Sequence, residues 1–453
     1  MPLYRIAEAP SPPPPSKIEK LALWANDLKK VTNLTKKSPK IFPAVANEFS
    51  NLCVIVQSTE DVDTTFRLRL ESRSHGLWVF SKPGEGRARK WKLPKDIAQR
   101  TCVAPDDSVN PRDLDPAGCR HGLFQNKAVP LYRMEKNLQL GDTDLTVRVN
   151  AVLGLDKGLE KNFRFDGVFG VARSGLENSP FTYSGINEAL ERTLGPHYFH
   201  HFNVCAGYRR SDQPVVITPD TPVGELIMST HALPAMAQAE PGRVGSFPVK
   251  ISATHFLSPG NSLKIYYGDH LVVSMDDVNV QFEVASRFIY LPEHQMDEFA
   301  DQLSADEIQV PLYAIDQYKP DSKTPLDLPD FNSLYAFGNL DLSELKDVTF
   351  QFNQDFKIVL APSEYTLKPA PNAKAGFMKD RQMTNRYFST IARHNGDKSY
   401  EEGNTVIFGE ILFRHYYVSM ETQMEEREHG SVPARRAVHL YRKTTEQKLC
   451  EAM

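Results

Sequence analysis

The sequence predicts an all-β protein with few short helices, because short runs of β-forming residues recur along most of its 453 residues. From residue 51 onward, Gly, Pro, Asn and Asp separate these runs, and turns favour those residue types. Many short strands joined by polar turns are typical of antiparallel sandwiches and barrels. The clearest runs are residues 53–56, 66–70, 145–149, 247–251, 263–267 and 348–352.

Two segments of this β-rich body carry a helical pattern instead. Residues 185–194 and residues 292–303 each place apolar side chains three or four positions apart, which puts them on one face of a helix. In the second segment that face consists of Met296, Phe299 and Leu303. We expect both helices to pack between strands rather than to form a bundle.

The composition divides the chain into an N-terminal arm and two halves of similar size. Residues 1–43 are basic and rich in proline, and apolar residues at helical spacing after Ser16 predict a short amphipathic helix. The arm is either a leader that packs loosely on the body or a partner-binding tether. Residues 231–245 have little β character and predict a linker between lobes at residues 44–230 and 246–453.

Charge and hydropathy exclude several classes of function. The chain has 53 Lys and Arg against 57 Asp and Glu, so no specific nucleic-acid partner is expected. No apolar run is as long as the about 18 residues that a membrane-spanning helix needs. The N-terminus lacks a signal-peptide core, which favours an intracellular location unless the chain was trimmed. We predict no cofactor and no metal site, since His197 and His200 lack acidic or cysteine neighbours.

Four strings, taken in order, carry a more specific signal. They read LESRSHGLWV at residues 70–79, FDGVFGVA at 165–172, FEVASRFIYLP at 282–292 and VIFGEILFRHYYV at 406–418. In this order they resemble the pepsin-like family of aspartic proteases. The first and third strings resemble its two active-site loops, and the other two resemble its strands that end in two hydrophobic residues and a glycine.

This resemblance implies a bilobal pepsin-like fold, in which each lobe supplies one active-site loop and one glycine-ended strand beneath it. Phe169 and Gly170 would serve the first lobe, and Phe408 and Gly409 the second. Glycine lets the loop pass close over the strand at a place where a Cβ would collide. Trp78 would be buried beneath the first loop.

The residues at the catalytic positions depart from the family. Such enzymes need two aspartates that share one proton, one acting on a water and the other on the substrate carbonyl. Alignment places Glu71 at the first position and Glu283 at the second, although a small slip would put Ala285 there. A glutamate reaches about 1.5 Å farther, whereas catalytic geometry tolerates roughly 0.5 Å. The resemblance therefore implies a protein without catalysis.

The two loops lose their family glycines as well. Arg73 replaces the first and Ala285 the second. We expect Arg73 to pair with Glu71 and to lower the pKa of that carboxyl, and Ser74 to hydrogen-bond its acidic neighbour. The candidate binding residues of the loops are Ser72, Arg73, Ser74, Ala285 and Ser286.

The flap hairpin of the family would fall within residues 120–141. That stretch lacks the Tyr-Gly-x-Gly pattern by which a flap closes over substrate. Tyr132 either fills the aromatic role of the flap, and is then a further binding residue, or is an ordinary tyrosine of an edge strand.

These expectations favour a catalytically inactive aspartic protease-like protein, a pseudoprotease, that binds or scaffolds a protein or peptide partner. Two alternatives remain open. One is an active peptidase with an altered Glu71 and Glu283 dyad. The other is a structural subunit of a larger assembly, with residues 1–43 as its tether.

Overall fold

A computed structural model describes the chain in segments that cover its β-rich body. The described residues are 18–25, 52–60, 65–80, 131–140, 143–152, 166–172, 201–206, 224–229, 243–251, 256–286, 288–303, 305–308, 334–336, 342–352, 356–367, 388–394, 404–427 and 430–442.

These segments are predominantly strands, which confirms the all-β prediction. In the first half the strands are β1 (Ile18–Ala25), β2 (Leu52–Ser58), β3 (Thr65–Phe80), β4 (Leu131–Leu140), β5 (Thr143–Val152), β6 (Gly167–Ala172), β7 (His201–Ala206) and β8 (Gly224–Ser229).

The described residues of the second half form strands β9 to β22 and three short α-helices. The strands are β9 (Arg243–Pro248), β10 (Phe256–Tyr267), β11 (His270–Phe282), β12 (Ile289–Leu291), β13 (Asp306–Ile308), β14 (Leu334–Ala336), β15 (Val348–Phe352), β16 (Phe356–Leu360), β17 (Thr366–Leu367), β18 (Phe388–Ser389), β19 (Ile391–Arg393), β20 (Thr405–Phe408), β21 (Tyr416–Arg427) and β22 (Gly430–Arg442). The helices are α1 (Glu293–Gln302), α2 (Pro362–Tyr365) and α3 (Glu410–His415), and a 3-10 turn spans Leu342–Glu344.

The predicted strand runs agree with these elements. Five of the six lie inside strands, and residues 247–251 overlap the end of β9. The helix predicted at residues 292–303 is α1, and its apolar face of Met296, Phe299 and Leu303 is buried as expected. The other predicted helix, at residues 185–194, lies outside the described residues.

The strands form three sheets of eleven, seven and four strands. The largest has the order β6-β3-β5-β4-β2-β1-β8-β7-β21-β22-β9, and the second has the order β16-β15-β10-β11-β20-β12-β19. Because β7 pairs with β21, strands from before and after residues 231–245 share one sheet. The division of the chain into two lobes at those residues stays a prediction.

The helix predicted in the N-terminal arm is wrong. Residues Ile18–Ala25 form β1, which lies between β2 and β8 and pairs antiparallel with both. The spacing of the apolar residues fits one face of a helix, but two neighbouring strands offer backbone donors and acceptors on both sides, and this tertiary pairing overrides local pattern. Part of the arm is therefore integrated into the large sheet.

Deleting residues 1–43 should destabilise the body, because loss of β1 leaves facing edges of β2 and β8 without their partner. Nine paired positions are lost, and net backbone hydrogen-bond energies put the loss at about 5 kcal/mol. Urea unfolding of the truncated chain measures it. Deletion of residues 1–17 alone, which keeps β1, is the matched control and should cost much less; equal stability of the two truncated chains would contradict a structural role for β1.

The first half contains a distinctive arrangement around β6. Residues 68–71 of β3 run parallel to residues 167–170 of β6, and residues 76–79 return along the same segment in the opposite direction. Between them lies a short loop, residues 71–74, which we call the first loop. A Cβ on Gly170 would lie 2.3 Å from the carbonyl oxygen of Ser74, so the first loop crosses β6 where only glycine fits.

The same arrangement recurs in the second half. Residues 279–282 of β11 run parallel to β20, and β12 returns antiparallel to the end of β20. The second loop, residues 283–286, lies between β11 and β12. A Cβ on Gly409 would lie 2.4 Å from the carbonyl oxygen of Ser286, the counterpart of Ser74. Each half thus passes an acidic loop over a glycine, which lies within buried β6 in the first half and directly after buried β20 in the second.

One hydrophobic cluster supports both loops. It includes Leu70 and Phe169 beside the first loop and Phe282 and Phe408 beside the second, all fully buried. Phe282 and Phe408 stack with their ring centroids 5.9 Å apart. Trp78 is also buried, as the sequence predicts. Rigid packing below the loops fixes where their polar side chains lie.

Candidate functional site

The hydroxyl of Ser72 joins the two loops. It donates to the carbonyl oxygen of Phe282 at 2.9 Å and accepts from the backbone N–H of Val284 at 3.1 Å. These backbone groups flank Glu283, so Ser72 fixes the peptide units on both sides of that residue. Ser72 is fully buried, and both hydrogen bonds are therefore shielded from water.

This contact places Glu283 beside the first loop. Ser72 directly follows Glu71, and its hydroxyl lies against the two residues on either side of Glu283. Glu283 is thus the acidic residue of the second loop whose charge acts on Glu71, and its assignment to the second catalytic position stays a prediction. Val284 occupies the position in the second loop that Ser72 has in the first. Because valine has no hydroxyl, it cannot make the corresponding side-chain hydrogen bonds to the first loop.

Two ion pairs engage the two carboxylates. Arg69 Nε lies 3.4 Å from Glu71 Oε1, and Arg73 Nη1 lies 3.3 Å from Glu283 Oε1. Both glutamate side chains are nearly buried, with 6% and 8% exposure. Arg69 also donates to the carbonyl oxygen of Ala285 at 2.9 Å. Both arginines thus extend from the first half of the chain to the second loop.

The predicted ion pair between Arg73 and Glu71 is therefore wrong, because Arg73 has a different partner. Arg73 binds Glu283 across the site, and Arg69 takes the place beside Glu71. On a strand, side chains alternate between faces, so Arg69 and Glu71 at the end of the parallel segment of β3 share one face. Their shared face lets Arg69 approach Glu71, whereas Arg73 lies within the first loop and reaches Glu283 on the second.

The expected decrease in the pKa of Glu71 is also wrong. Burial raises the pKa of Glu71 above its ordinary value of 4.5. The charge of Arg69 and the hydrogen bond from Ser74 oppose this rise, the charge of Glu283 adds to it, and Arg73 has the smallest effect. The predicted bond from Ser74 is present, since its hydroxyl donates to Glu71 Oε2 at 2.5 Å. Desolvation outweighs the arginines.

The raised pKa of Glu71 predicts how stability depends on pH. The folded state binds the proton of Glu71 more tightly than the unfolded state, so this contribution is fully present below about pH 4.5 and is lost as pH rises through the higher folded pKa. The Glu71→Gln variant stays neutral throughout. The free energy of unfolding of the variant minus that of the wild type should therefore increase with pH. The increase should be about 1.4 kcal/mol per pH unit between the unfolded and the folded pKa of Glu71.

Urea unfolding of both chains between pH 4 and pH 8 measures this difference. Subtracting the two curves removes the contributions of other titrating groups. A difference that falls as pH rises, or that stays flat over the whole range, would contradict the raised pKa.

The structure brings together most of the predicted site residues. Ser72, Arg73 and Ser74 lie on the first loop, and Ala285 and Ser286 lie on the second, where both are buried. The backbone of Tyr132 pairs with Ala151 in the β4–β5 hairpin. The predicted flap before residue 131, together with His197 and His200, lies outside the described residues.

Sequence reasoning missed Arg69 and Gln281. Gln281 donates to Glu283 Oε2 at 3.2 Å and so orients the second carboxylate. Each residue lies two positions before its glutamate, outside the motif strings that carry the resemblance. Strand alternation would have found both, because residues two apart on a strand share a face.

Within the described residues there is no cluster of His, Cys, Asp or Glu able to hold a metal ion. The same part of the chain includes no helix long and apolar enough to cross a membrane.

Comparison with known proteins adds no relative to this picture. A scan against models of known protein families finds no match, and a search of curated proteins finds none either. What the two loops do must therefore be argued from their own residues.

Proposed function

We propose that the chain has a bilobal pepsin-like fold without peptidase activity, and that it binds an extended protein or peptide segment between its two loops. The repeated strand arrangement supports this fold. In each half an acidic loop joins a parallel segment to a returning one and crosses a glycine within or directly after a buried strand. The two glutamates then occupy equivalent positions on opposing loops.

One observation carries the absence of catalysis: each carboxylate of the pair is engaged by an arginine. Activation of a water requires two carboxyl groups that face it and share one proton. The ion pair with Arg73 places a guanidinium against the carboxylate of Glu283, the group that would act on substrate. A glutamate side chain is longer than an aspartate by one methylene, which shifts both carboxyl groups from the positions that a shared water requires.

Binding needs none of this chemistry. An extended segment can add to a strand edge through main-chain hydrogen bonds, with specificity from side-chain pockets. β19 ends the seven-stranded sheet beside β12, the strand that follows the second loop, and so provides an edge near the site. Retention of denatured casein by the immobilised chain, without the appearance of fragments, is the expected result.

Peptidase assays test the proposal directly. The wild type should release no fragments from denatured globin or casein between pH 3 and pH 6, and a pepstatin-type inhibitor should change nothing. The single changes Glu71→Asp and Glu283→Asp should stay inactive, because Arg73 remains in the site. Activity should require at least those two changes combined with Arg73→Gly and Ala285→Gly, since positioning supplies much of the rate.

A second candidate function is an active peptidase that uses Glu71 and Glu283. The raised pKa of Glu71 favours it, because in such a dyad one of the two carboxyl groups keeps its proton. The same assay separates the two proposals. Cleavage by the wild type that a pepstatin-type inhibitor abolishes would establish the peptidase and overturn the inactive protein.

A further inference from the structure

A second group of polar side chains lies in the largest sheet and takes no part in the two-loop site. Ser246 on β9, His439 on β22 and Glu421 on β21 form a continuous chain of contacts across three neighbouring strands. Ser246 Oγ is 2.6 Å from His439 Nδ1, and His439 Nε2 is 2.7 Å from Glu421 Oε2. The amide of Gln423 donates to the other oxygen of Glu421.

The direction of these hydrogen bonds follows from the chemistry of the groups. A carboxylate only accepts, so the Nε2 atom of His439 carries the proton that Glu421 receives. The Nδ1 atom of the neutral ring is then an acceptor, and the hydroxyl of Ser246 donates to it. Ser246 is thus a hydroxyl whose proton already points at a base.

The burial of the three residues differs in the way that a nucleophilic site requires. His439 is 8% exposed and Glu421 is 4% exposed, so the base and the group that orients it are held inside the sheet. Ser246 is exposed on β9, the last strand of that sheet. A reagent can therefore reach the hydroxyl while its base stays fixed.

We propose that Ser246, His439 and Glu421 form a nucleophilic site that hydrolyses small activated esters. In the first step Ser246 Oγ bonds to the ester carbonyl carbon while its proton passes to His439 Nδ1. The bond from that carbon to the alkoxy oxygen then breaks, and the alcohol leaves with the proton from Nδ1. A water repeats the sequence on the acyl-serine, which releases the carboxylic acid and restores Ser246.

The roles of the residues set the range of substrates. Ser246 and His439 touch the reacting atoms and are catalytic residues, whereas Glu421 is a positioning residue that fixes the tautomer of the ring. A positioned base contributes about 10²–10⁴-fold to a rate. Such a contribution suits esters with good leaving groups and falls short of peptide bonds, so the site is distinct from the proposed binding function of the two loops.

Labelling with a fluorophosphonate probe tests the proposal on the full chain. The wild type should take up one probe molecule, and peptide mapping should place it on Ser246. The Ser246→Ala variant should not be labelled, and the His439→Gln variant should be labelled at least tenfold more slowly. Ser274, an exposed serine on β11, supplies the matched control, because Ser274→Ala should be labelled at the wild-type rate.

Hydrolysis of p-nitrophenyl acetate tests the role of Glu421. The Glu421→Gln variant should lower kcat at least tenfold with KM unchanged, since the carboxylate acts through the ring and not on the ester. Mapping of the labelled wild type needs no variant, so a substitution that unfolds the chain leaves the test intact. Probe on any residue other than Ser246, or equal labelling of wild type and a folded His439→Gln variant, would overturn the proposal.

Discussion

Replacing Gly409 by alanine should cost the protein more than about 4 kcal/mol of its free energy of unfolding, which is in the range of the most destabilising substitutions. An added Cβ would lie 2.2 Å from the carbonyl oxygen of Phe288 and 2.4 Å from that of Ser286. Both atoms belong to the backbone in and just after the second loop, so no side-chain rotation relieves the overlap. The loop must move as a unit, and it carries Glu283 with it.

Gly260 provides the matched control for this substitution. A Cβ there meets only Asp277 Oδ1, at 3.8 Å, but the residue has a φ of +67°. Its replacement by alanine should therefore cost only the left-handed strain of about 1–2 kcal/mol. Chemical unfolding of both variants measures the two costs, and similar values for Gly409→Ala and Gly260→Ala would show that the second loop does not need its close approach.

Replacing Ser72 by alanine should destabilise the protein by about 3 kcal/mol, because it leaves two buried backbone groups without their hydrogen bonds. The N–H of Val284 loses its acceptor, and the carbonyl of Phe282 loses a donor. Val284 cannot replace the lost hydroxyl. The effect should appear in the free energy of unfolding and in faster hydrogen exchange at the Val284 amide.

Ser286 tests whether the joining role of Ser72 is specific. It is a buried serine of the second loop, with 4% exposure, so Ser286→Ala removes a hydroxyl from a similar environment. We expect a cost of about 1 kcal/mol or less for that variant. Equal losses of unfolding free energy for the two serine variants would mean that the hydrogen bonds from Ser72 to the second loop stabilise the protein no more than those of an ordinary buried serine.

The sequence predicts the class of structure well because strand patterns are local. Alternating or continuous apolar runs bounded by turn residues mark β10 and β15, and a helical stripe marks α1. The glycines beneath the two loops are also predictable, since Gly170 and Gly409 follow apolar runs in strings that resemble a known motif. The steric constraint itself comes from distant residues, Ser74 for Gly170 and Ser286 for Gly409, so the motif strings rather than local geometry predict it.

The errors concern interactions between distant parts of the chain. Residues 18–25 fit one face of a helix as well as a strand, and only their partners at residues 52–54 and 224–229 decide between the two. The partner of Arg73 depends on how the two loops face each other, which no local pattern encodes. The pKa of Glu71 depends on burial, and burial is a property of the finished fold.

The pairing of β7 with β21 has a consequence for how the chain reaches its fold. Val204 on β7 lies opposite Val418 on β21. The largest sheet is therefore complete only after the C-terminal hairpin of β21 and β22 has formed. Contacts of such long sequence separation slow folding, because a large chain entropy is lost before any contact forms. During synthesis the edge of β7 that pairs with β21 stays unpaired while more than two hundred further residues are added. A nascent chain halted before residue 416 should therefore depend on chaperones that shield exposed strand edges.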